Sequence, residues 1–422
     1  MLLKPEGISY INGMGLFRSF AVVILVACLV PAAALGQSLD ITPPGLTVVA
    51  IGDAGENGSA LRATAFYVTD MYTGRHDAGK PDAILFLGDN FLPLGLNVPA
   101  DDVDGTARSV LRHFDEVFTT LPRAFVHAIP GEHDYYSRFG EQHSLFFGLF
   151  TSGEQPTGIS DRGILREERL EQWTFHSRLA SETTMPEFPG SVDSVQFVFF
   201  DSALPLRTDP SRWHEALASL HRILQASGAR KAIAWRILCV HHPWYSVGVH
   251  GGYSIWNDED SSVDYLTNCD KDSNAVGFVR NWIDPEDLCA DRYRQYADSL
   301  RAVVSLSGVK IQILLGAHDR SLQLLYYPDR DTDCDVCPKV HIISGAGSLT
   351  TRVRLPSPPH VFTSGGKNPQ EAGVSPPGFV QLRFDRGHVR VVFFNARNGE
   401  PIDMGSGHTV FWIDRAGNLV DR

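Results

Sequence analysis

Residues 47–55 read Thr-Val-Val-Ala-Ile-Gly-Asp-Ala-Gly, an apolar run that stops at a glycine and an aspartate. A short continuous run of this kind, bounded by turn residues, is typical of a strand buried on both faces, as in the sheet of an α/β protein. Four later runs are also largely apolar, and each is followed by glycine, carboxylate or histidine residues. These runs and the residues after them are Ala83–Leu87 with Gly88-Asp89-Asn90, Ala124–Ile129 with Gly131-Glu132-His133-Asp134, Ile233–Val240 with His241-His242-Pro243, and Ile311–Leu315 with Gly316-Ala317-His318-Asp319-Arg320.

The polar residues that follow these strands are expected to lie close together, because open α/β sheets bind ligands at the carboxyl ends of their strands. Carboxylates and neutral imidazoles are ligands that borderline or hard transition metals prefer. One such string is a weak signal, whereas five in this order predict a metal centre. The residues expected to converge are Asp53, Asp89, Glu132, His133, His241 and His318.

The order of the five strings resembles that of the calcineurin-like metallophosphoesterases, and most closely their purple (tartrate-resistant) acid phosphatase branch. The resemblance extends from about Thr47 to the C-terminus and includes Ser344–Ser348 and the closing hairpin Gly378–Asn395. It implies an α/β fold with mixed sheets, arranged as an αββα sandwich with a C-terminal β-hairpin. It also implies hydrolysis of phosphomonoesters by metal-activated water, with Fe, Zn or Mn as the ion.

The same resemblance assigns roles to individual residues. Asp89 matches the carboxylate that bridges two metals, Asp53 matches a ligand of the first metal, and His241 and His318 match ligands of the second. Each residue could instead have a purely structural role. An aspartate in a turn can cap a helix, and a histidine after a strand can be a hydrogen-bonded residue of the core.

Two further histidines match substrate-facing positions of the branch. His133 corresponds to the residue that binds phosphate or protonates the leaving alkoxide, which is general-acid work. His250 lies nine residues after His241 and matches a second histidine that faces the substrate. His242 is expected to pack or hydrogen-bond outside the ligand shell.

Three positions depart from the branch. Leu92 stands where a tyrosinate ligates the first metal and gives the purple colour, Glu132 stands in place of an asparagine, and Arg320 in place of a histidine. The first site therefore loses two ligands and gains a fixed cation, while the second gains a carboxylate. The sequence predicts one tightly held ion and a doubtful second site, with Arg320 paired to Asp53 and available to clamp phosphate. The predicted ligands of that ion are Asp89, Glu132, His241 and His318.

These departures leave three functional hypotheses open. The first is an active phosphatase, which the retained His133 and His250 favour. The second is a catalytically weakened or inactive relative that binds a phosphorylated ligand or a protein partner, which the changes at Leu92 and Arg320 favour. The third is a structural cell-surface module that uses its insertions for contact.

Composition restricts the choice of partner. The chain has 422 residues, of which 43% are hydrophobic and 20% charged, and its net charge is −12. This negative charge argues against nucleic acid, which needs clustered lysine and arginine. A small phosphorylated substrate is compatible with this net charge, because a bound metal ion would neutralise the charge of the phosphate. The composition does not determine the oligomeric state.

The N-terminus has the pattern of a signal peptide. Arg18 precedes the apolar run Phe20–Leu35, which contains small residues near its end at Ala32–Ala34. We expect residues 1–36 to be removed, with the mature chain beginning near Gln37 and secreted or periplasmic. A lipoprotein cut before Cys28 and an uncleaved anchor are the alternatives; stable membrane insertion of the mature chain is not expected.

Cysteine usage agrees with export to an oxidising compartment, where loop cysteines pair. Cys269 is expected to bridge Cys289, and Cys334 to bridge Cys337, while Cys239 lies in a strand as a buried thiol. A zinc site at the Cys334–Cys337 string is the alternative.

The remaining chain is predicted to form one catalytic domain over 46–415. Insertions at about 153–172, 251–287 and 356–377 interrupt it and are expected to surround the site. Helices are predicted at Trp213–Gln225 and Ala290–Val304.

Overall fold

The computed structural model describes most of the predicted catalytic domain, in several segments. The predicted signal segment 1–36, the insertion 153–172 and the Cys269–Cys289 pairing lie outside the described residues, as does much of the other two insertions. The described residues are 45–73, 80–92, 110, 113, 125–135, 173–175, 180–188, 190–203, 206, 210–251, 253–257, 262–266, 287–288, 290–328, 334–353, 355, 360–365 and 373–421.

Two mixed β-sheets form the centre of the fold. The first has the order β17 (Leu419–Val420), β16 (Phe411–Asp414), β15 (His388–Asn395), β14 (Gly378–Asp385), β1 (Thr47–Ile51), β2 (Ala83–Leu87), β3 (Phe125–Ile129), β4 (Trp173–Phe175). The second has the order β13 (Val361–Thr363), β11 (Leu322–Tyr326), β12 (Val340–Ser344), β10 (Ile313–Gly316), β7 (Ile233–Val240), β6 (Ser194–Phe200), β5 (Ala180–Pro186). A separate hairpin joins β8 (Tyr253–Asn257) and β9 (Ser262–Leu266).

The strands that precede the polar strings are parallel within each sheet. In the first sheet β1, β2 and β3 run parallel, and β14 closes on β1 in the antiparallel direction. In the second sheet β7, β10 and β12 run parallel, with β11 antiparallel to β12. Parallel neighbours put their carboxyl ends at one edge, so the residues that follow them are gathered there.

Side chains alternate between two cores, because successive residues of a strand point to opposite faces. In β1, Val48 and Ala50 enter a core shared by both sheets, whereas Val49 and Ile51 pack on the outer face against a helix. The strand β7 does the same in the second sheet, with Ile237 directed to the shared core. The sheets therefore pack face to face with an apolar layer outside each.

Three described helices cover the outer faces: α1 (Ser59–Tyr72), α2 (Pro210–Gly228) and α3 (Asp291–Ser307). In α1, Leu61, Ala65 and Val68 form an apolar stripe at helical spacing, and they are buried on the first sheet. Helices α2 and α3 cover the second sheet. The predicted αββα sandwich is confirmed. None of the described helices is long and apolar enough to cross a membrane.

Most of the predicted elements appear with small shifts. The strand predicted at Ile311–Leu315 begins two residues later: the Ile311 N–H bonds to the carbonyl of Val336, and Ile313 is the first residue in register with β7. The C-terminal hairpin of β14 and β15 is confirmed. Cys334 and Cys337 form a disulfide, and Cys239 is a free, buried thiol.

Candidate functional site

The site lies where the carboxyl ends of the parallel strands in the two sheets meet. Asp53, Asp89 and Glu132 follow β1, β2 and β3 of the first sheet, while His241 and His318 follow β7 and β10 of the second. Three overlapping groups of side chains offer ligand atoms within 4.8 Å of one another. Their members are Glu132, His241, His242 and His318; Asp53, Asp89 and His241; and Asp89, Glu132 and His133.

The backbone at these strand ends is strained. Asp53, Asp89, His318 and Arg320 have φ values of 51°, 52°, 66° and 35°, in the left-handed region that non-glycine residues avoid. In the part of the chain that is described, only Ser406 shares this property among non-glycine residues. Such residues persist only where their surroundings hold them, and they concentrate at functional sites.

Two glycines allow side chains to approach the backbone closely. Gly88 has φ of 93°, and a Cβ on it would lie 2.4 Å from Nδ1 of His241. A Cβ on Gly131 would lie 2.4 Å from Oδ1 of Asp89. Neither position admits a larger residue without moving a candidate ligand, which explains why glycine precedes the acid in these strings.

Glu132, His241, His242 and His318, which we call the Glu132 group, form the densest cluster. Oε2 of Glu132 lies 2.7 Å from Nε2 of His241 and 3.3 Å from Nε2 of His242. Its Oε1 lies 3.0 Å from Nδ1 of His318. All four side chains are buried. For comparison, ligand atoms about 2.0–2.1 Å from a tetrahedral zinc ion lie about 3.3 Å apart.

The Glu132 group fits a transition metal, because several of its ligand atoms are buried without hydrogen-bond partners. Among the described residues, Oε2 of Glu132 and Nε2 of His241 have none, and Oδ2 of the adjacent Asp89 also has none. Buried polar atoms are almost always satisfied, and each one left unpaired costs about 1–3 kcal/mol. A cation in their midst would satisfy them together.

The tautomer of His241 also suits a ligand. Its Nδ1 lies 2.6 Å from the backbone carbonyl oxygen of Leu87, which can only accept a hydrogen bond. The neutral ring therefore carries its proton on Nδ1 and directs the lone pair of Nε2 into the Glu132 group.

The pKa values in this group are set by opposing charges. Burial would raise the pKa of Glu132, but His318 and His241 hold it well below its usual range. Burial would lower the pKa of His241, but Glu132 and Asp89 raise it well above. Without a metal, the group therefore holds an anion and a proton, and a bound metal would displace that proton.

Asp53, Asp89 and Arg320, which we call the Asp53 region, form the other half of the site. Both oxygens of Asp53 are buried without a hydrogen bond in the described structure, and Nε of Arg320 lies 3.8 Å from its Oδ1. Burial, followed by the charge of Asp89, raises the pKa of Asp53 well above its usual range. Leu92 is buried and offers no ligand atom there.

Three partly exposed side chains border these buried groups. Arg320 places Nη2 3.2 Å from Nε2 of His133, whose backbone N–H donates to Oδ1 of Asp89. The ring of His250 lies 4.3 Å from that of His318. Since a guanidinium only donates, Nε2 of His133 accepts in this arrangement. The proton expected of a general acid is therefore not on that atom here.

Two aspartates that were not predicted as site residues hold the loops in place. Asp134 accepts backbone hydrogen bonds from Asn90, Phe91 and Gly131, and burial together with Asp89 raises its pKa to about 7. Asp319 accepts from the hydroxyl of Ser246 and the backbone N–H of Gly248 and of His250. Both lie inside the quoted strings, but no residue pattern marks them as loop anchors.

The structure brings every predicted metal and substrate residue to one place. It also adds His242 to the Glu132 group, whereas Asp89 lies to one side, with Oδ1 3.7 Å from Nε2 of His241.

No protein-family model matches the chain, and no curated protein matches it. Among solved structures, "GAP50 the anchor in the inner membrane complex of Plasmodium" is 16% identical, covering 85% of this chain and 86% of that one, with a TM-score of 0.49. A dimetal phosphatase from Danio rerio is 14% identical, covering 88% and 99%, with a TM-score of 0.43. PhoD is 10% identical, covering 90% and 72%, also at 0.43. All three TM-scores are below 0.5.

Proposed function

We propose that this chain is an exported, metal-dependent phosphoesterase that hydrolyses phosphomonoesters, a variant of the purple acid phosphatase branch with altered ligands. The observation that carries the proposal is the Glu132 group, with its buried, unpaired ligand atoms next to the partly exposed Arg320 and His133. A metal held by Glu132, His241 and His318, with Asp89 beside it, would polarise a phosphate oxygen and lower the pKa of bound water.

Arg320 is proposed to bind the phosphate. Its Nε has no hydrogen-bond partner among the described residues, and its side chain is 25% exposed. A planar guanidinium can hold two phosphate oxygens at once, which fixes the orientation of the ester. His250 is proposed to border the same pocket, next to His318.

His133 is proposed to protonate the leaving alkoxide. In the present arrangement its Nε2 accepts from Arg320. A phosphate that draws the guanidinium toward its own oxygens would release this nitrogen, which could then carry a proton for the leaving group. Substrate binding would in this way prepare the acid.

A second candidate function is a binder of phosphorylated ligands that does not turn them over. The observation that favours it is Arg320, which puts a fixed cation beside Asp53, while Leu92 provides no ligand. An arginine can hold phosphate but does not activate water as a metal does.

One experiment separates the two candidates. The purified mature chain is loaded in turn with Fe, Zn or Mn, and metal content is measured beside hydrolysis of p-nitrophenyl phosphate and beside phosphate binding by calorimetry. We expect turnover that depends on the metal. Phosphate binding without turnover under every metal would establish the binder instead.

Export is part of the proposal. The Cys334–Cys337 disulfide supports it, since such bonds persist in oxidising compartments. N-terminal sequencing of the mature protein should find a start near Gln37, and mass spectrometry of unreduced peptides should find Cys269 joined to Cys289. An intact N-terminus or free thiols at both positions would contradict this part.

A further inference from the structure

The adjacent His241 and His242 both direct Nε2 toward Glu132, but their other ring nitrogens have different partners. Nδ1 of His241 lies 2.6 Å from the carbonyl oxygen of Leu87, whereas Nδ1 of His242 lies 2.9 Å from the hydroxyl oxygen of Ser202. A carbonyl can only accept, but a hydroxyl can accept or donate, so the second contact does not by itself decide the tautomer.

The remaining hydrogen bonds of Ser202 decide it. Its Oγ accepts the backbone N–H of His241 at 3.2 Å and that of His242 at 3.0 Å. A serine hydroxyl has two lone pairs and one hydrogen. Because both lone pairs are used, the hydroxyl hydrogen is directed to Nδ1 of His242, and this ring carries its own proton on Nε2.

The opposite assignment is disfavoured. Tyr296 also lies near Ser202, and its hydroxyl donates to the backbone carbonyl of His242 at 2.9 Å. In that assignment Nδ1 of His242 carries the proton and Ser202 gives its own hydrogen to Tyr296. The Nδ1–H of His242 would then be a third donor to Oγ of Ser202. That oxygen has no lone pair left to receive it.

We propose that Ser202 fixes His242 as the Nε2–H tautomer, so that His242 positions the Glu132 carboxylate and does not ligate the metal. A ring nitrogen that carries a proton has no free lone pair for an ion. Nε2 of His242 and Oε2 of Glu132 lie 3.3 Å apart and both are buried, and Nε2 of His242 has no other hydrogen-bond partner among the described residues. His241 is a ligand and His242 is the donor that holds a ligand in place. The role toward metal rests on the proposed function, whereas the tautomer does not.

The tautomer can be tested without metal or substrate. Long-range 1H–15N spectra of metal-free protein labelled with 15N at histidine distinguish Nδ1–H from Nε2–H. His242 is expected to show a protonated Nε2, and the Ser202→Ala variant, checked for folding by circular dichroism, should lose this preference and so assign the signal. A protonated Nδ1 with a bare Nε2 at His242 in the unmutated protein would overturn the proposal.

Metal affinity tests the positioning role. In His242→Gln the side-chain amide places an N–H near the former Nε2, so Zn2+ affinity should stay close to that of the unmutated chain. In His242→Leu the donor is lost, and affinity should fall about 10–100-fold, the scale of losing a residue that orients a ligand. His241→Gln is the matched control and should lose Zn2+ altogether.

An equal loss of Zn2+ in His242→Gln and His241→Gln would show that His242 is a ligand, and would overturn the inference while leaving the proposed function intact. If instead the unmutated chain bound no metal, the proposed function would fail, and the metal-free spectra would still decide the tautomer.

Discussion

The two halves of the site, the Glu132 group and the Asp53 region, respond differently to the same physical problem. Both bury carboxylates with unpaired oxygens. In the Glu132 group, three imidazoles surround the acid, and an imidazole whose ring nitrogen carries no proton can give its lone pair to a metal ion. In the Asp53 region the nearest cation is Arg320, which cannot lose its charge and has no lone pair to give.

The difference teaches that a buried carboxylate needs a cation, but that the cation can be exchangeable or built into the chain. An uncompensated buried charge costs several kcal/mol, and removing one partner of a buried pair typically costs about 3–5 kcal/mol. Arg320 reduces this cost for Asp53 at all times but does not remove it, since burial and Asp89 still hold the pKa of Asp53 well above its usual range. The charge of Glu132 is balanced by protons on the histidines or by a metal ion, so a metal ion can bind to this site and leave it.

The largest expected effect comes from removing a ligand of the Glu132 group. His241→Ala should lose bound metal, and with it all phosphatase activity, because the lone pair that Leu87 directs inward is gone. Elemental analysis and a p-nitrophenyl phosphate assay measure both. The control is His214→Ala, at an exposed position of α2. Full metal content in His241→Ala would show that the ion is held elsewhere.

A smaller loss is expected at the border between the two halves. His133→Ala should retain its metal but turn over about 10²-fold more slowly, the scale of a lost general acid. Steady-state kinetics with metal content measured on the same sample tests this. A leaving group that needs no protonation, such as p-nitrophenolate, should narrow the gap relative to an alkyl phosphate. Equal losses on both esters would contradict the acid role.

Arg320→His should change the metal count of the Asp53 region, especially together with Leu92→Tyr. These substitutions place an imidazole and a phenol beside Asp53, so a second equivalent of metal should bind. Arg320→Gln removes the charge without adding an imidazole and is expected to stay at one equivalent. The mononuclear hypothesis would be abandoned if the unmutated protein bound two equivalents, both required for turnover.

The smallest expected signal is the colour of the iron-loaded protein. On the proposed resemblance to the purple acid phosphatase branch, Leu92 replaces the tyrosinate, so no phenolate-to-iron band should appear in the visible spectrum. Absorption spectra before and after dialysis test this, and Leu92→Tyr with Arg320→His provides the positive control. A persistent visible band in the unmutated chain would mean that another tyrosine ligates the ion.

Local sequence patterns were sufficient to predict several central strands of the two sheets. The runs at Thr47–Ile51, Ala83–Leu87 and Ile233–Val240 are strands with the bounds that the sequence predicted. Other strands were not marked, among them β5, where most residues are only half-buried and no apolar run forms. The hairpin of β8 and β9 lies within the insertion predicted at 251–287. The many charged and polar residues of this insertion favoured a loop over strands.

By itself, the sequence determined which residues follow the strands and therefore which ones can meet. Apolar runs fix the strands, and parallel strands end at one edge, so Asp53, Glu132 and His241 were predictable site members. Only the tertiary structure decided what each polar atom faces. The partner of Nδ1 in His241 is 154 residues away in the chain, and that of His242 is 40 residues away. The two neighbouring histidines thus differ in the hydrogen-bond partner of Nδ1, because that partner is set by distance in space and not by the local sequence.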